Sequence, residues 1–109
     1  MSPLEIITEQ REGQTFMALV GELDIASAPR LEEGLEEVER DTPGTLVLDL
    51  RKVDFIDSTG LRAVIAADER ARSAGRRFVV VRGPAAVERV FSVTQLDQRL
   101  DIVDDPGSL

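Results

Sequence analysis

The spacing of apolar residues changes repeatedly along this chain, and each change marks a new element. Leu4, Ile6 and Thr8 alternate with polar neighbours, and an apolar run over residues 16–20 follows a turn at Gly13. This pattern predicts an antiparallel hairpin whose second strand is buried on both faces. Pro29 suits a first helical turn, and Leu31, Leu35 and Val38 then recur at helical spacing as far as about Arg40. Thr42, Pro43 and Gly44 break the chain before residues 46–50, a short apolar run of the kind found in central strands. A polar stretch over residues 51–54 comes next. Leu61, Val64, Ile65, Asp68 and Ala71 then mark one face of a second helix, for which Gly75 is the natural stop. Phe78–Val81 reads as another buried strand, and Gly83 and Pro84 open a third helix bearing Val87, Val90 and Phe91. Leu100 and Ile102 suggest a last strand, and residues 104–109 a flexible tail.

Strands that alternate with helices imply parallel pairing through crossovers. The expected fold class is therefore α/β: a mixed, mainly parallel sheet of about five strands, with an N-terminal hairpin and helices packed against it. A length of 109 residues with 42% hydrophobic content suits one domain over residues 1–109, with its core at about 4–103. Neither cysteine nor histidine occurs, which removes disulfides, thiol nucleophiles, a Ser/His/Asp arrangement and the usual zinc sites. No metal site or cofactor is expected. The net charge of −8 has the wrong sign for holding a polyanion, so direct nucleic-acid binding is not expected. No apolar run approaches the ~18 residues that span a bilayer, and no secretory leader pattern opens the chain. A cytoplasmic location is the expectation. Glu32, Glu33, Glu36, Glu37 and Glu39 make the first helix acidic, which reads as a solvated face.

In open α/β sheets the loops at the carboxyl ends of strands form the usual functional edge, and Asp57 and Ser58 fall there, at a helix start. A hydroxyl in that place can accept from free backbone N–H groups, and a phosphate on it would meet the same donors and the positive end of the helix dipole. Asp24, Asp54 and Asp57 crowd the same edge, so a phosphate would sharply raise local repulsion, and a docked partner would feel the change. The residues alone leave an ordinary alternative open: Ser58 is an N-cap and Gly60 serves tight packing. Thr59 is a second hydroxyl or a plain first-turn residue. Arg62 touches an acidic partner or is a solvated helix arginine, and Asp24 shapes the edge or simply turns the chain.

Three separated segments carry a family resemblance: Gly21-Glu22-Leu23-Asp24, Asp57-Ser58-Thr59-Gly60-Leu61 and Ala86-Val87-Glu88-Arg89-Val90-Phe91. In this order, and on these predicted elements, they resemble the sulfate transporter and anti-sigma factor antagonist (STAS) domain, and more closely its free-standing bacterial anti-sigma factor antagonists. The resemblance covers about residues 4–103. It implies a cycle in which the unphosphorylated antagonist binds an anti-sigma factor serine kinase and frees the sigma factor. Phosphorylation of Ser58 by that kinase breaks the complex, and a serine phosphatase of the metal-dependent class restores it. The antagonist would be a substrate and not an enzyme, with ATP and magnesium belonging to the kinase. Asp24, Asp57, Ser58, Thr59, Gly60 and Arg62 are the implied partner-binding residues. Family members often carry a further helix after the last strand, where this sequence has the acidic tail.

Two other functions compete. Related domains serve transport or stress-signalling assemblies, in which Ser58 would be structural. A hydrolase using Ser58 with Asp57 is opposed by the missing histidine and by the lack of a phosphate-cradling glycine loop.

Overall fold

The computed structural model describes residues 3–41 and 44–108. The predicted break at Thr42 and Pro43, and the end of the tail at Leu109, lie outside the described residues. The outer strand β1 (Glu5–Arg11) pairs antiparallel with β2 (Gln14–Leu23) through a two-residue turn. Glu12 and Gly13 both take positive φ there, 43° and 81°. This is the backbone hand that fits a tight hairpin to twisted strands. Next come α1 (Ala28–Asp41), β3 (Thr45–Ile56), α2 (Ser58–Ser73), β4 (Phe78–Val81), α3 (Ala85–Val93) and β5 (Ile102–Val103). The strands lie in the order β1-β2-β3-β4-β5, and every pair after the hairpin is parallel. The predicted fold class holds.

Strand register decides where the core sits. Met17 stands beside Leu48, Leu48 beside Val80, and Leu46 beside Phe78, so one face of the sheet is continuously apolar. Leu31 and Leu35 from α1, Leu61 and Val64 from α2, and Val87 and Phe91 from α3 close onto that face in one buried cluster. Each such side chain contributes roughly 1.5–3 kcal/mol by leaving water. Val47, Val79 and Val81 on the opposite face are also buried, and Pro106 and Gly107 share a recess with Arg11 and Phe16. The tail residues Pro106–Ser108 form a single 3₁₀ turn, in which the Gly107 N–H donates to Asp105 Oδ1 at 2.8 Å.

Three sequence expectations need correction. The second strand is not buried on both faces: Thr15, Met17, Leu19 and Leu23 are buried, while Phe16, Ala18 and Val20 are half-buried. The helices cluster with the first set only, so the second set stays partly open. The strand expected over residues 46–50 runs on through the polar stretch to Ile56, with Lys52, Val53, Phe55 and Ile56 still paired with β2. The backbone ladder continues where side chains turn polar, with register shifts between Ala18 and Val20 and between Gly21 and Glu22. Finally, Glu39 is not part of a solvated face. Its carboxylate accepts both Nε and Nη2 of Arg70, each at 2.9 Å, and joins α1 to α2.

Candidate functional site

The strand extension matters because it brings β3 to the same edge as β2. Leu23 pairs with Ile56, and the Asp57 N–H donates to the Leu23 carbonyl at 3.2 Å, so both strands end together. Helix α2 begins at once. Asp57, with extended backbone, is its N-cap: Oδ1 accepts the Gly60 N–H at 2.9 Å, and its carbonyl accepts the Leu61 N–H at 2.9 Å. The ordinary alternative for Ser58 is thereby overturned. Capping falls to Asp57, and Ser58 is the first helical residue.

Ser58 is exposed, and among the described residues its hydroxyl has no hydrogen-bond partner. The N–H groups of Ser58 and Thr59 are likewise unmatched within the described protein, as expected of a first helical turn. An anion on Ser58 would stand at the positive end of a helix of 16 residues, beside these donors. Thr59 is half-buried, a poorer target for another protein than its exposed neighbour.

Gly60 has a geometric reason. A Cβ on it would lie 2.6 Å from the Leu23 carbonyl oxygen and 2.7 Å from Leu23 Cγ. Only a residue without a side chain lets the start of α2 press this closely against the end of β2.

Asp57 also reaches across to the β2–α1 loop, where its Oδ2 accepts the Ile25 N–H at 3.0 Å. That loop has its own carboxylate. Asp24 Oδ1 accepts the N–H groups of Ala26 and Ser27, each at 3.0 Å, and lies 3.1 Å from Ser27 Oγ. Asp24 and Asp57 therefore shape the edge by satisfying its backbone, and Ile25 is the link between them. Asp54 lies exposed on β3 just before this junction. Arg62 is exposed one turn after Ser58 and has no ion-pair partner among the described residues.

The structure thus brings together Asp24, Asp57, Ser58, Thr59 and Gly60, with Arg62 one turn further along α2. It also shows three residues that sequence reasoning missed: Ser27, Ile25 and Phe55. Ile25 and Phe55 are large apolar residues left in water at this edge. Their signal was an apolar residue out of period, one in the loop Asp24-Ile25-Ala26-Ser27 and one directly after the polar stretch over residues 51–54. A recess of about 210 Å³ whose walls include Leu4, Asp24, Ser27 and Arg30 touches the edge but leaves Ser58 outside. Ser58 lies on open surface, accessible to a macromolecule. No helix among the described residues is long and apolar enough to cross a membrane. Nor is any group of three or more carboxylates among them placed to hold a metal ion.

Comparison with known proteins agrees with the fold. The family model described as the STAS domain matches residues 5–108. The anti-sigma-F factor antagonist RsfB of Mycobacterium tuberculosis is 34% identical over 95 residues, covering 87% of this chain and 77% of the relative. An anti-sigma-B factor antagonist of Listeria monocytogenes is 29% identical over 103 residues, covering 94% and 90%. Among solved structures, an anti-sigma factor antagonist from Mycobacterium paratuberculosis superposes with a TM-score of 0.86 at 28% identity, covering 96% of this chain and 89% of the other.

Proposed function

This chain belongs to the STAS domain family and to its anti-sigma factor antagonists, and we propose that it is the phosphorylatable arm of a partner switch centred on Ser58. Unphosphorylated, it binds an anti-sigma factor serine kinase in the cytoplasm and so frees a sigma factor. Phosphorylated on Ser58, it lets go. One observation carries this reading: Asp57 does the capping, and the Ser58 hydroxyl is left exposed and, among the described residues, unengaged. A structural serine would be using its hydroxyl, which counts against a transport-assembly subunit in which Ser58 only shapes the fold.

The chemistry asks little of this chain. The Ser58 oxygen attacks the γ-phosphorus of ATP, the bond to the β–γ bridging oxygen breaks, and the hydroxyl proton passes to a base on the kinase. Positioning, magnesium and charge stabilisation come from the kinase. The antagonist contributes an acceptor held at a fixed place by Asp57 and Gly60. A separate serine phosphatase of the metal-dependent class hydrolyses the ester and resets the switch.

Electrostatics supply the release. A phosphate adds about −1.5 to −2 charges at an edge already carrying Asp24, Asp54 and Asp57. The isolated chain tolerates that charge at the helix N-terminus, whereas an interface closed over it has to desolvate it.

Incubation with magnesium, ATP and an anti-sigma factor kinase from the same organism should add one phosphate, which peptide mass spectrometry places on Ser58. No phosphate on Ser58, from a kinase that is active on another antagonist, contradicts the reading.

A further inference from the structure

Two large apolar side chains near Ser58 are left in water. Ile25 is 72% exposed and Phe55 49% exposed. Single apolar residues on a surface are ordinary and need no account. These two are distinguished by where they stand and by how Ile25 is held. Phe55 pairs with Glu22 in the last rungs of the β2–β3 ladder, and Ile25 follows two residues after the end of β2, so both lie at the edge that carries Ser58. Ile25 sits in a loop whose successive N–H groups are tied. Its N–H goes to Asp57 Oδ2 at 3.0 Å, and the next two N–H groups go to Asp24 Oδ1. Ser27 Oγ closes the loop by donating to the Glu22 carbonyl at 2.8 Å. A side chain carried on so fixed a backbone has little main-chain freedom to lose when it is covered, which favours its use as an anchor.

We infer that Ile25 and Phe55 are the apolar anchors on which the anti-sigma factor kinase closes, entering a nonpolar depression on the kinase that is bordered by cationic side chains. The inference rests on the function proposed above and goes beyond it by assigning the contact. A kinase that delivers a phosphoryl group to Ser58 must cover the surface around that hydroxyl, and these are the large apolar groups there. Anchors of this kind concentrate binding energy when a ring of polar contacts excludes water around them. The carboxylates available for that ring, Asp24, Asp54 and Asp57, outnumber the exposed Arg62 one turn along α2, so the matching rim on the kinase is mainly basic. The same arrangement sharpens the release step. A phosphate beside the anchors can no longer stay hydrated once they are docked.

The test is calorimetric titration of the full-length chain with the purified kinase that phosphorylates it on Ser58. Ile25→Ala and Phe55→Ala should each weaken binding by about tenfold or more, with an unchanged thermal midpoint. Ile7→Ala, which truncates a residue 55% exposed in the outer strand β1, should leave affinity as it was. Should Phe55→Ala lower the thermal midpoint, Phe55→Leu takes its place and should regain most of the affinity that Phe55→Ser loses. Affinities of the Ile25 and Phe55 variants within about twofold of wild type overturn the anchor assignment, while Ser58 phosphorylation still stands. An equal loss in Ile7→Ala overturns it as well. A concentration-dependent dimer in sedimentation that disappears in Ile25→Ala would assign the surface to a second copy of this chain instead. If the kinase phosphorylates Ser58 but forms no complex with the wild-type chain, the partner switch itself fails and the anchors with it.

Discussion

Ser27 and Ser58 both stand where a strand at the same sheet edge gives way to a helix, yet the fold uses one and leaves the other free. Ser27 is buried, and its Oγ accepts the Asp24 N–H at 2.9 Å while donating to the Glu22 carbonyl at 2.8 Å. Ser58 is exposed and, among the described residues, unbonded. The difference lies in the neighbouring carboxylates. Asp24 shares the work of its loop with Ser27, whereas Asp57 takes all the side-chain capping of α2 and leaves Ser58 none. A serine at a helix start becomes available for chemistry when its neighbour supplies the cap.

Substitutions that exchange the two conditions test this contrast most strongly. Ser58→Ala should abolish phosphate incorporation by the kinase yet change stability by no more than about 0.5 kcal/mol, since no bond is lost. Ser27→Ala should do the reverse, keeping phosphorylation and costing about 1–3 kcal/mol in urea unfolding for the buried bonds it removes. Gly60→Ala should cost about 1–3 kcal/mol, because the added methyl meets the Leu23 carbonyl and must push α2 away from β2. Its phosphorylation rate should fall with it, as a kinase assay on the folded variant would show. Asp57→Ala should cost about 0.5–2 kcal/mol through the lost cap. Amide exchange should also quicken at Ile25 and Gly60 together, because one carboxylate holds both.

The smallest expected effect is a pH dependence away from this edge. Burial pushes the Asp49 carboxyl up, but hydrogen bonds from Arg51 and the charges of Arg51 and Lys52 outweigh it and hold the group below its usual value. A carboxyl lowered on folding stabilises the protein above its unfolded value, and that contribution is lost as pH falls through the folded value. Asp49→Asn should therefore reduce stability at neutral pH and converge with wild type below about pH 4, as thermal melts across acid pH would read. Ser58 phosphorylation should not change.

Much of the fold was legible because apolar period and register agree. Leu31, Leu35, Leu61, Val64, Val87 and Phe91 were readable as core from helical spacing, and all six close on one face of the sheet. The strand alternation was harder to read. In β2 the half-buried residues Phe16, Ala18 and Val20 are as apolar as the buried ones, so composition could not separate the faces. The continuation of β3 through Arg51 and Asp54 was hidden for the opposite reason, since polar side chains mask a backbone that stays in the ladder. At the site, the residues Asp24, Asp57, Ser58 and Gly60 could be named from sequence, but not the division of labour among them. Whether Asp57 or Ser58 caps α2 depends on one residue of helix phase, and Glu39 pairing with Arg70 depends on how two helices pack. The hold on the Ile25 backbone is likewise a long-range contact, made by Asp57 32 positions away in sequence.

The most direct test of the switch is calorimetric titration of the anti-sigma factor kinase with two forms of the chain, unmodified and carrying one phosphate on Ser58. The unmodified form should give a tight complex and the phosphorylated one an affinity about a hundredfold lower or more. Equal affinity for the two forms would contradict the switch.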